Sequence, residues 1–163
     1  MEFSISNISL LATIILVGLS AGLCFTWGNA VTPGIGNLDD TGFLQAFQQM
    51  NRSILNPPFF LVFLGALPVG IAAVLAARGE SPLHFRLVLV AVILYGIGVV
   101  LVTVFGNVPL NQILDKTELA GSTLEELAAL RKKFETPWNR FHSIRVVSSI
   151  LSFALLALAG LMK

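Results

Sequence analysis

Four long apolar runs constrain the fold of this chain more than any other feature of its sequence. The first, residues 8–27, contains no charged residue, and as a helix it reaches about 30 Å, the thickness of the hydrocarbon core of a bilayer. The others cover residues 59–77, 87–105 and 144–162. The sequence therefore predicts an all-α, multi-pass integral membrane protein built as a four-helix bundle, with residues 1–163 in a single domain.

The charge balance and the few metal-binding side chains exclude several classes of function. Ten Lys and Arg residues stand against nine Asp and Glu, so the chain has no basic field that could hold a nucleic acid. With one cysteine, Cys24, and two histidines, His84 and His142, the sequence predicts no metal cluster. Because 55% of the residues are hydrophobic, the expected partner is the lipid bilayer.

The connections between the predicted spans differ in length. A tight link, residues 78–82, joins the second and third spans, whereas residues 28–58 and 106–137 form two long connections. Each long connection follows an odd-numbered span, so both are expected at the same end of the bundle. The tight link is expected at the opposite end.

Each long connection carries the pattern of an amphipathic helix. In residues 41–55 the apolar side chains recur at helical spacing, with glutamines and an arginine on the other side. In the second connection, Ser122 and Glu125 have the spacing of a capping box, and an apolar stripe follows until Pro137. We expect Pro137 to end that helix.

A small-residue pattern lies inside the first span. Gly18 and Gly22 are four residues apart, and Ala21 widens the same shallow face. Such a face lets another helix approach closely. Packing within the bundle is the expected role, and the same pattern leaves open a homo-oligomer or a partner subunit.

Polar side chains collect at the end of the bundle that carries the long connections. A polar group at membrane depth costs free energy unless it is partnered or useful. Trp138, His142 and Arg145 share one helical face at the entry of the fourth span. The other groups at this end are Trp27, Gln48, Asn51, Arg52, Asn107 and Asn111. This pattern predicts a polar pocket, although interfacial anchors, snorkelling arginines and helix-capping asparagines explain the same residues without one.

Four segments in order, residues 20–27, 48–59, 106–111 and 138–145, carry a family resemblance. The most specific elements are Asn-Val-Pro-Leu-Asn, from Asn107 to Asn111, and the later Trp-x-x-x-His-x-x-Arg. Together they resemble the anthrone oxygenase-like family of small four-span membrane proteins. The resemblance implies oxidation of an anthrone, or another lipophilic aromatic substrate, by dioxygen with no cofactor. It also implies a location in the bacterial inner membrane.

The residues permit such chemistry, and we state the roles as a hypothesis. A neutral imidazole can take the acidic proton of an anthrone, and arginine and asparagine donors can stabilise the resulting oxyanion. The predicted catalytic residues are His142, Arg145, Asn107 and Asn111. The predicted substrate contacts are Trp27, Gln48, Asn51, Arg52, Trp138 and Asn139, with the tryptophans stacking on flat rings. No metal site is predicted.

Two other classes of function remain open at the level of the sequence. The same pocket could bind or transport a small apolar or quinone-like ligand without chemistry. Alternatively, the chain could be a structural membrane protein that holds a partner subunit through Gly18 and Gly22. Oxygen uptake with a candidate substrate separates the first alternative from the oxygenase, and co-purification of a stoichiometric partner supports the second.

Overall fold

The computed structural model describes residues 4–162, and this part of the chain is helical with no strand. Four of its helical segments are long and apolar enough to cross a membrane. They are Ile5–Gly36, Pro57–Gly79, Pro82–Lys116 and Leu124–Leu161. The predicted all-α, four-helix membrane bundle is confirmed, and the chain is a multi-pass integral membrane protein. That residues 1–163 form one domain stays a prediction.

The first span is longer than the predicted run of residues 8–27. Helix α1 (Ile5–Thr26) continues through a wide, π-helical turn at Trp27–Val31 into α2 (Thr32–Gly36). The hydroxyl of Thr32 donates to the carbonyl of Trp27 across this turn, over 3.2 Å. The prediction for residues 8–27 therefore ended before the helix does, because the residues that follow Trp27 include Gly, Asn, Thr and Pro, which interrupt the apolar run but continue the helix.

The first long connection contains the predicted amphipathic helix. Helix α3 (Asp40–Ile54) begins at Asp39, whose carboxylate accepts a hydrogen bond from the backbone N–H of Gly42 over 2.7 Å. Its apolar face is buried at Phe43 and Phe47. The prediction for residues 41–55 is confirmed to within one residue at each end.

The second span is two helices in series, α4 (Pro57–Phe63) and α5 (Ala66–Ala76), followed by a 3₁₀ turn at Ala77–Gly79. Asn56 caps α4 by accepting from the N–H of Phe59 over 3.0 Å. The break lies just before Pro68, whose missing N–H removes one helical hydrogen bond.

The third span is continuous, but part of its C-terminal half consists of π-helical turns, which are wider than those of an α-helix. Helix α6 (Pro82–Tyr95) leads into π-helical turns at Gly96–Leu101 and Thr103–Asn107, and then into α7 (Val108–Lys116). Pro109 lies in the first turn of α7, where its missing N–H is tolerated. The helix therefore continues through Asn107 and Asn111. Such wide turns often lie at functional sites.

A 3₁₀ turn at Leu119–Gly121 precedes α8 (Leu124–Leu161), which is one helix of 38 residues and passes through Pro137. The expectation that Pro137 ends the helix is wrong. A proline in a helix removes one backbone hydrogen bond, and here Phe134 and Trp138 on either side of it are buried. Their packing holds the helix together across the proline.

The capping box of α8 lies one residue later than expected. The hydroxyl of Thr123 accepts from the backbone N–H of Glu126, and the Glu126 carboxylate accepts from the Thr123 N–H over 2.8 Å. Ser122 instead donates its hydroxyl to the backbone of Glu118. Because Ser and Thr are adjacent and Glu125 and Glu126 are adjacent, the sequence pattern fits both registers equally well.

Both long connections pack together at one end of the bundle, as expected. Arg131 on α8 donates to the carbonyls of Gly36 and Leu38, over 2.8 and 2.9 Å, and contacts the carboxylate of Asp40 at 3.1 Å. Below them an aromatic cluster is buried, consisting of Phe43, Phe47, Phe134 and Trp138. At the other end, the hydroxyl of Ser6 donates to Glu80 in the tight link.

The two glycines of the small-residue pattern in the first span differ in how closely other helices pack against them. A Cβ added at Gly18 would lie 2.9 Å from the ring of Phe153 on α8, so a larger residue here would displace that ring where the first and fourth spans pack together. A Cβ at Gly22 would meet nothing within 4 Å. Packing within the bundle therefore explains Gly18 and leaves Gly22 without such a role.

Candidate functional site

A cavity of about 270 Å³ lies at the end of the bundle that carries the long connections. Every span and the first long connection contribute to its wall. Seven predicted site residues line it, namely Trp27, Asn51, Arg52, Asn111, Trp138, His142 and Arg145. Most of the remaining wall is apolar, as in Leu23, Phe59 and Phe63. The cavity is therefore a mainly apolar space with a few polar groups, which is typical of a small-molecule site.

His142 is buried, and both of its ring nitrogens are engaged. Nε2 lies 3.1 Å from the backbone carbonyl oxygen of Cys24, and Nδ1 lies 2.6 Å from Nη2 of Arg145. A carbonyl can only accept and a guanidinium can only donate, so Nε2 carries the proton and Nδ1 accepts. The imidazole is therefore neutral, and its ring stacks on Trp138 with the centroids 4.9 Å apart.

Arg145 has only neutral neighbours. Its Nη1 donates to the hydroxyl of Thr103 over 3.3 Å, Nη2 donates to His142, and the guanidinium lies 5.1 Å from the ring centroid of Trp138. Its Nε is buried with no hydrogen-bond partner. Within residues 4–162, no carboxylate oxygen lies within 4.0 Å of this guanidinium. The positive charge of Arg145 is thus left without a counter-charge.

Aromatic rings form one wall of the cavity. Trp27 and Trp138 have ring centroids 6.3 Å apart, and Phe47 packs edge-on against Trp138 at 4.8 Å. The indole N–H of Trp138 donates to the amide oxygen of Asn111 over 2.8 Å, which fixes both side chains. The indole nitrogen of Trp27 and the amide nitrogen of Asn51 are buried without an acceptor.

An ion pair lies at the exposed edge of the cavity. Nε of Arg52 on α3 contacts a carboxylate oxygen of Asp115 on α7 at 2.6 Å, and both side chains are about half exposed. Leu55, close by on the first connection, also lines the cavity and is 63% exposed. The cavity therefore opens to the outside between a polar pair and an apolar surface.

Three predicted site residues lie outside the cavity wall. The side chain of Asn107 is buried and donates to the backbone carbonyl of Trp138 over 3.1 Å. Gln48 donates to the carbonyls of Leu114 and Thr117, over 2.9 and 3.2 Å, and so joins the two long connections. Asn139, which follows Trp138, is not part of the cavity wall.

Sequence reasoning missed three groups that the structure brings to the site. Thr103 lies four residues before Asn107, and this spacing along the third span could have indicated it. Asp115 follows Asn111 by four residues, and the same helical spacing could have indicated it. The carbonyl of Cys24 has no sequence signal, because every residue has a backbone carbonyl and only the packing of His142 selects this one.

Comparison with known proteins identifies a family for this chain. The family model described as anthrone oxygenase matches residues 59–155, which is more than half of the chain. The matched range contains Asn107, Asn111, Trp138, His142 and Arg145. No curated protein and no solved structure matches the chain significantly. On the extent of the family match, the chain belongs to the anthrone oxygenase family.

Proposed function

We propose that the chain is an oxygenase-like oxidoreductase that uses dioxygen to oxidise an anthrone-like or other lipophilic aromatic substrate in this cavity. The observation that carries the proposal is the contact of a neutral imidazole with an uncompensated guanidinium inside a mainly apolar cavity. Both residues belong to the family motif. The proposed chemistry needs no cofactor, since the substrate itself supplies the electrons.

The cavity suits a flat molecule of moderate size. Its volume of about 270 Å³ is near the lower end of the range for small-molecule sites, roughly 300–1,000 Å³. Trp27, Trp138, Phe59 and Phe63 offer ring faces and edges to an aromatic ligand. The exposed apolar side chain of Leu55 at the opening favours entry of a substrate that is dissolved in the membrane.

We propose that His142 removes the first proton from the substrate after Arg145 has transferred its hydrogen bond from His142 to the substrate. The lone pair of Nδ1 accepts from Arg145 and is not free. A substrate carbonyl oxygen can take over the guanidinium donor, because the charge developing on that oxygen makes it a stronger acceptor than imidazole. Nδ1 is then free to accept the proton from the substrate carbon, while Cys24 holds the ring through Nε2.

The oxidation balances without another reactant. Loss of one proton from the CH₂ carbon gives an enolate, which passes one electron to O₂, and the resulting carbon radical and superoxide combine to form a C–O bond. The peroxide takes back the proton from His142. Loss of the second proton of that carbon, with cleavage of the O–O bond, leaves a ketone and releases hydroxide, which forms water with that proton. One O₂ is consumed for each CH₂ converted to C=O and each water released.

Asn107 and Gln48 take positioning roles in this proposal. Asn107 fixes the backbone of Trp138, and Gln48 ties the connection that carries Asn51 and Arg52 to the end of the third span. Asn111 acts through the indole of Trp138. We therefore assign the stabilisation of the substrate oxyanion to Arg145.

The test is oxygen uptake by the purified protein in neutral detergent with anthrone as the probe. We expect uptake above the rate of spontaneous oxidation, with one anthraquinone formed for each O₂ consumed. Heat-denatured protein in the same detergent is the control for oxidation in the micelle. A rate equal to that control, with several anthrones of different substitution, would contradict the proposal.

A second candidate is binding of the same class of ligand without chemistry. The observation that favours it is that neither ring nitrogen of His142 is free, since Nε2 contacts the carbonyl of Cys24 and Nδ1 contacts Arg145. If binding does not displace Arg145, the imidazole has no site for a proton. Saturable quenching of tryptophan fluorescence by anthrone, without oxygen uptake, would support this candidate.

A further inference from the structure

The starting observation is the charge of the cavity wall. Three charged side chains line it, Arg52, Asp115 and Arg145. Arg52 and Asp115 neutralise each other through their 2.6 Å contact at the exposed edge. Arg145, on the fourth span, keeps its charge among Thr103, His142 and Trp138, which are all neutral. The cavity wall therefore carries one net positive charge.

The guanidinium of Arg145 cannot remove its uncompensated charge by losing a proton, because arginine stays charged at any pH at which proteins fold. A buried charge without a partner costs free energy, and a charge of opposite sign lowers that cost. Within residues 4–162, no carboxylate lies within 4.0 Å to supply it. A ligand is the remaining source of a negative charge at this position.

The hydrogen-bonding groups of the wall point to the same kind of ligand. Nε1 of Trp27, Nδ2 of Asn51 and Nε of Arg145 are buried donors that have no acceptor. All three residues line the cavity. Buried donors are normally paired, so a surplus of donors at one cavity indicates a ligand that is rich in acceptor oxygens.

We infer that the cavity binds an organic anion, such as an ionised phenol, enol or carboxylic acid on an aromatic frame, with Arg145 as its counter-ion. The inference concerns the cavity of the proposed function and specifies its ligand class. A neutral molecule of the same shape and aromatic surface binds more weakly, because it leaves the guanidinium uncompensated. Selection of the anion occurs on binding and requires no reaction with oxygen.

The test uses two probes that cannot undergo the proposed oxidation, neutral 9,10-anthraquinone and anthraquinone-2-carboxylate. The chain has two tryptophans, Trp27 and Trp138, and both line the cavity, so quenching of intrinsic fluorescence reports its occupation. In a neutral detergent, we expect the carboxylate to bind roughly tenfold to a hundredfold more tightly than the neutral probe. Equal affinities would overturn the inference.

Arg145→Gln should remove this preference by weakening the carboxylate much more than the neutral probe, and saturable binding of the neutral probe shows that the variant is folded. The matched control is Arg140→Gln, because Arg140 is exposed on another face of α8 and should keep the full preference. A preference that survives Arg145→Gln would assign the anion to another group and overturn the inference. So would displacement of the carboxylate by stoichiometric phosphatidylglycerol, which would identify a lipid phosphate as the ligand.

A measurement on the unaltered protein covers the case in which Arg145→Gln does not fold. With 2-hydroxyanthraquinone, we expect the visible spectrum of the phenolate in the bound state at a pH where the free probe is the phenol. A bound spectrum of the neutral phenol would overturn the inference. Since these probes are already quinones, failure of oxygen uptake with anthrone leaves both results unaffected, and failure here leaves the oxygen-uptake test unaffected.

Discussion

The guanidinium of Arg145 donates a hydrogen bond to the lone pair on Nδ1 of His142. Its Nη2 lies 2.6 Å from Nδ1 of the imidazole, one helical turn away, and the other ring nitrogen donates to the carbonyl of Cys24. The pair therefore gives a neutral imidazole whose only acceptor site is covered by a cation. If His142 acts as a base, Arg145 must first turn to another acceptor, so the two side chains are expected to work as a unit.

His142→Gln should reduce oxygen uptake with anthrone by roughly 10²-fold or more, because an amide can keep a hydrogen bond but cannot take a proton. The matched control is His84→Gln, since His84 is buried at the opposite end of the bundle. Uptake should be unchanged in this control. Equal uptake by both variants would show that the proton is transferred elsewhere.

Gly28→Ala should lower oxygen uptake without unfolding the protein. A Cβ at Gly28 would lie 3.2 Å from Nε2 of His142, so the imidazole must shift by a few tenths of an ångström, which disturbs its hydrogen bond to the carbonyl of Cys24. We expect the free energy of unfolding to fall by no more than the value of one hydrogen bond, about 0.5–1.5 kcal/mol, measured by thermal unfolding in detergent. Gly22→Ala is the matched control, because a Cβ there meets nothing within 4 Å. Equal stability and equal uptake in the two variants would contradict the prediction.

The sequence was sufficient to predict the helical faces but not the contacts that they make. The spacing of Trp138, His142 and Arg145 predicted one face of α8, and all three line the cavity. Asn107 and Asn111 were both predicted as catalytic residues of one pocket, yet Asn111 lines the cavity while Asn107 bonds to the backbone of α8. Helical spacing gives the direction of a side chain relative to its own axis, whereas its partner depends on a neighbouring helix that is distant in sequence.

Helix ends were less predictable than helix cores for a related reason. The apolar run predicted an end at Trp27, but the first span continues to Gly36, and no charged residue occurs between Trp27 and Asp39. At Pro137 the local rule for proline gave the wrong result, since the burial of Phe134 and Trp138 outweighs one missing hydrogen bond. At Pro137, tertiary packing rather than local sequence decided where the helix continues.

Arg131→Ala should lower the stability of the long connections. Its side chain is mostly buried, donates to the carbonyls of Gly36 and Leu38, and contacts the carboxylates of Asp40 and Glu135. We expect the free energy of unfolding to fall by about 1.5–3 kcal/mol, the range for hydrogen bonds of a charged group. Thermal unfolding in detergent measures the change.

The control for Arg131→Ala is the same substitution at the neighbouring residue Lys132. Lys132 is exposed, so Lys132→Ala should change the free energy of unfolding by less than about 0.5 kcal/mol. If the two alanine variants unfold alike, the contacts of Arg131 add nothing to the packing of the two long connections. The aromatic cluster beneath them would then account for their association.

Arg145→Lys separates a fixed guanidinium from a simple positive charge. Arg145 uses two of its nitrogens at once, for Thr103 and His142, while its plane lies over Trp138. An ammonium is also a cation but cannot reproduce this planar arrangement. We expect normal insertion and a loss of ligand affinity or turnover of about 1.5–3 kcal/mol, roughly tenfold to a hundredfold. Arg140→Lys, on the exposed face of the same helix, should be silent. If both variants are equally silent in fluorescence quenching and oxygen uptake, Arg145 needs only a charge on a long stem, and its role is that of an interfacial anchor.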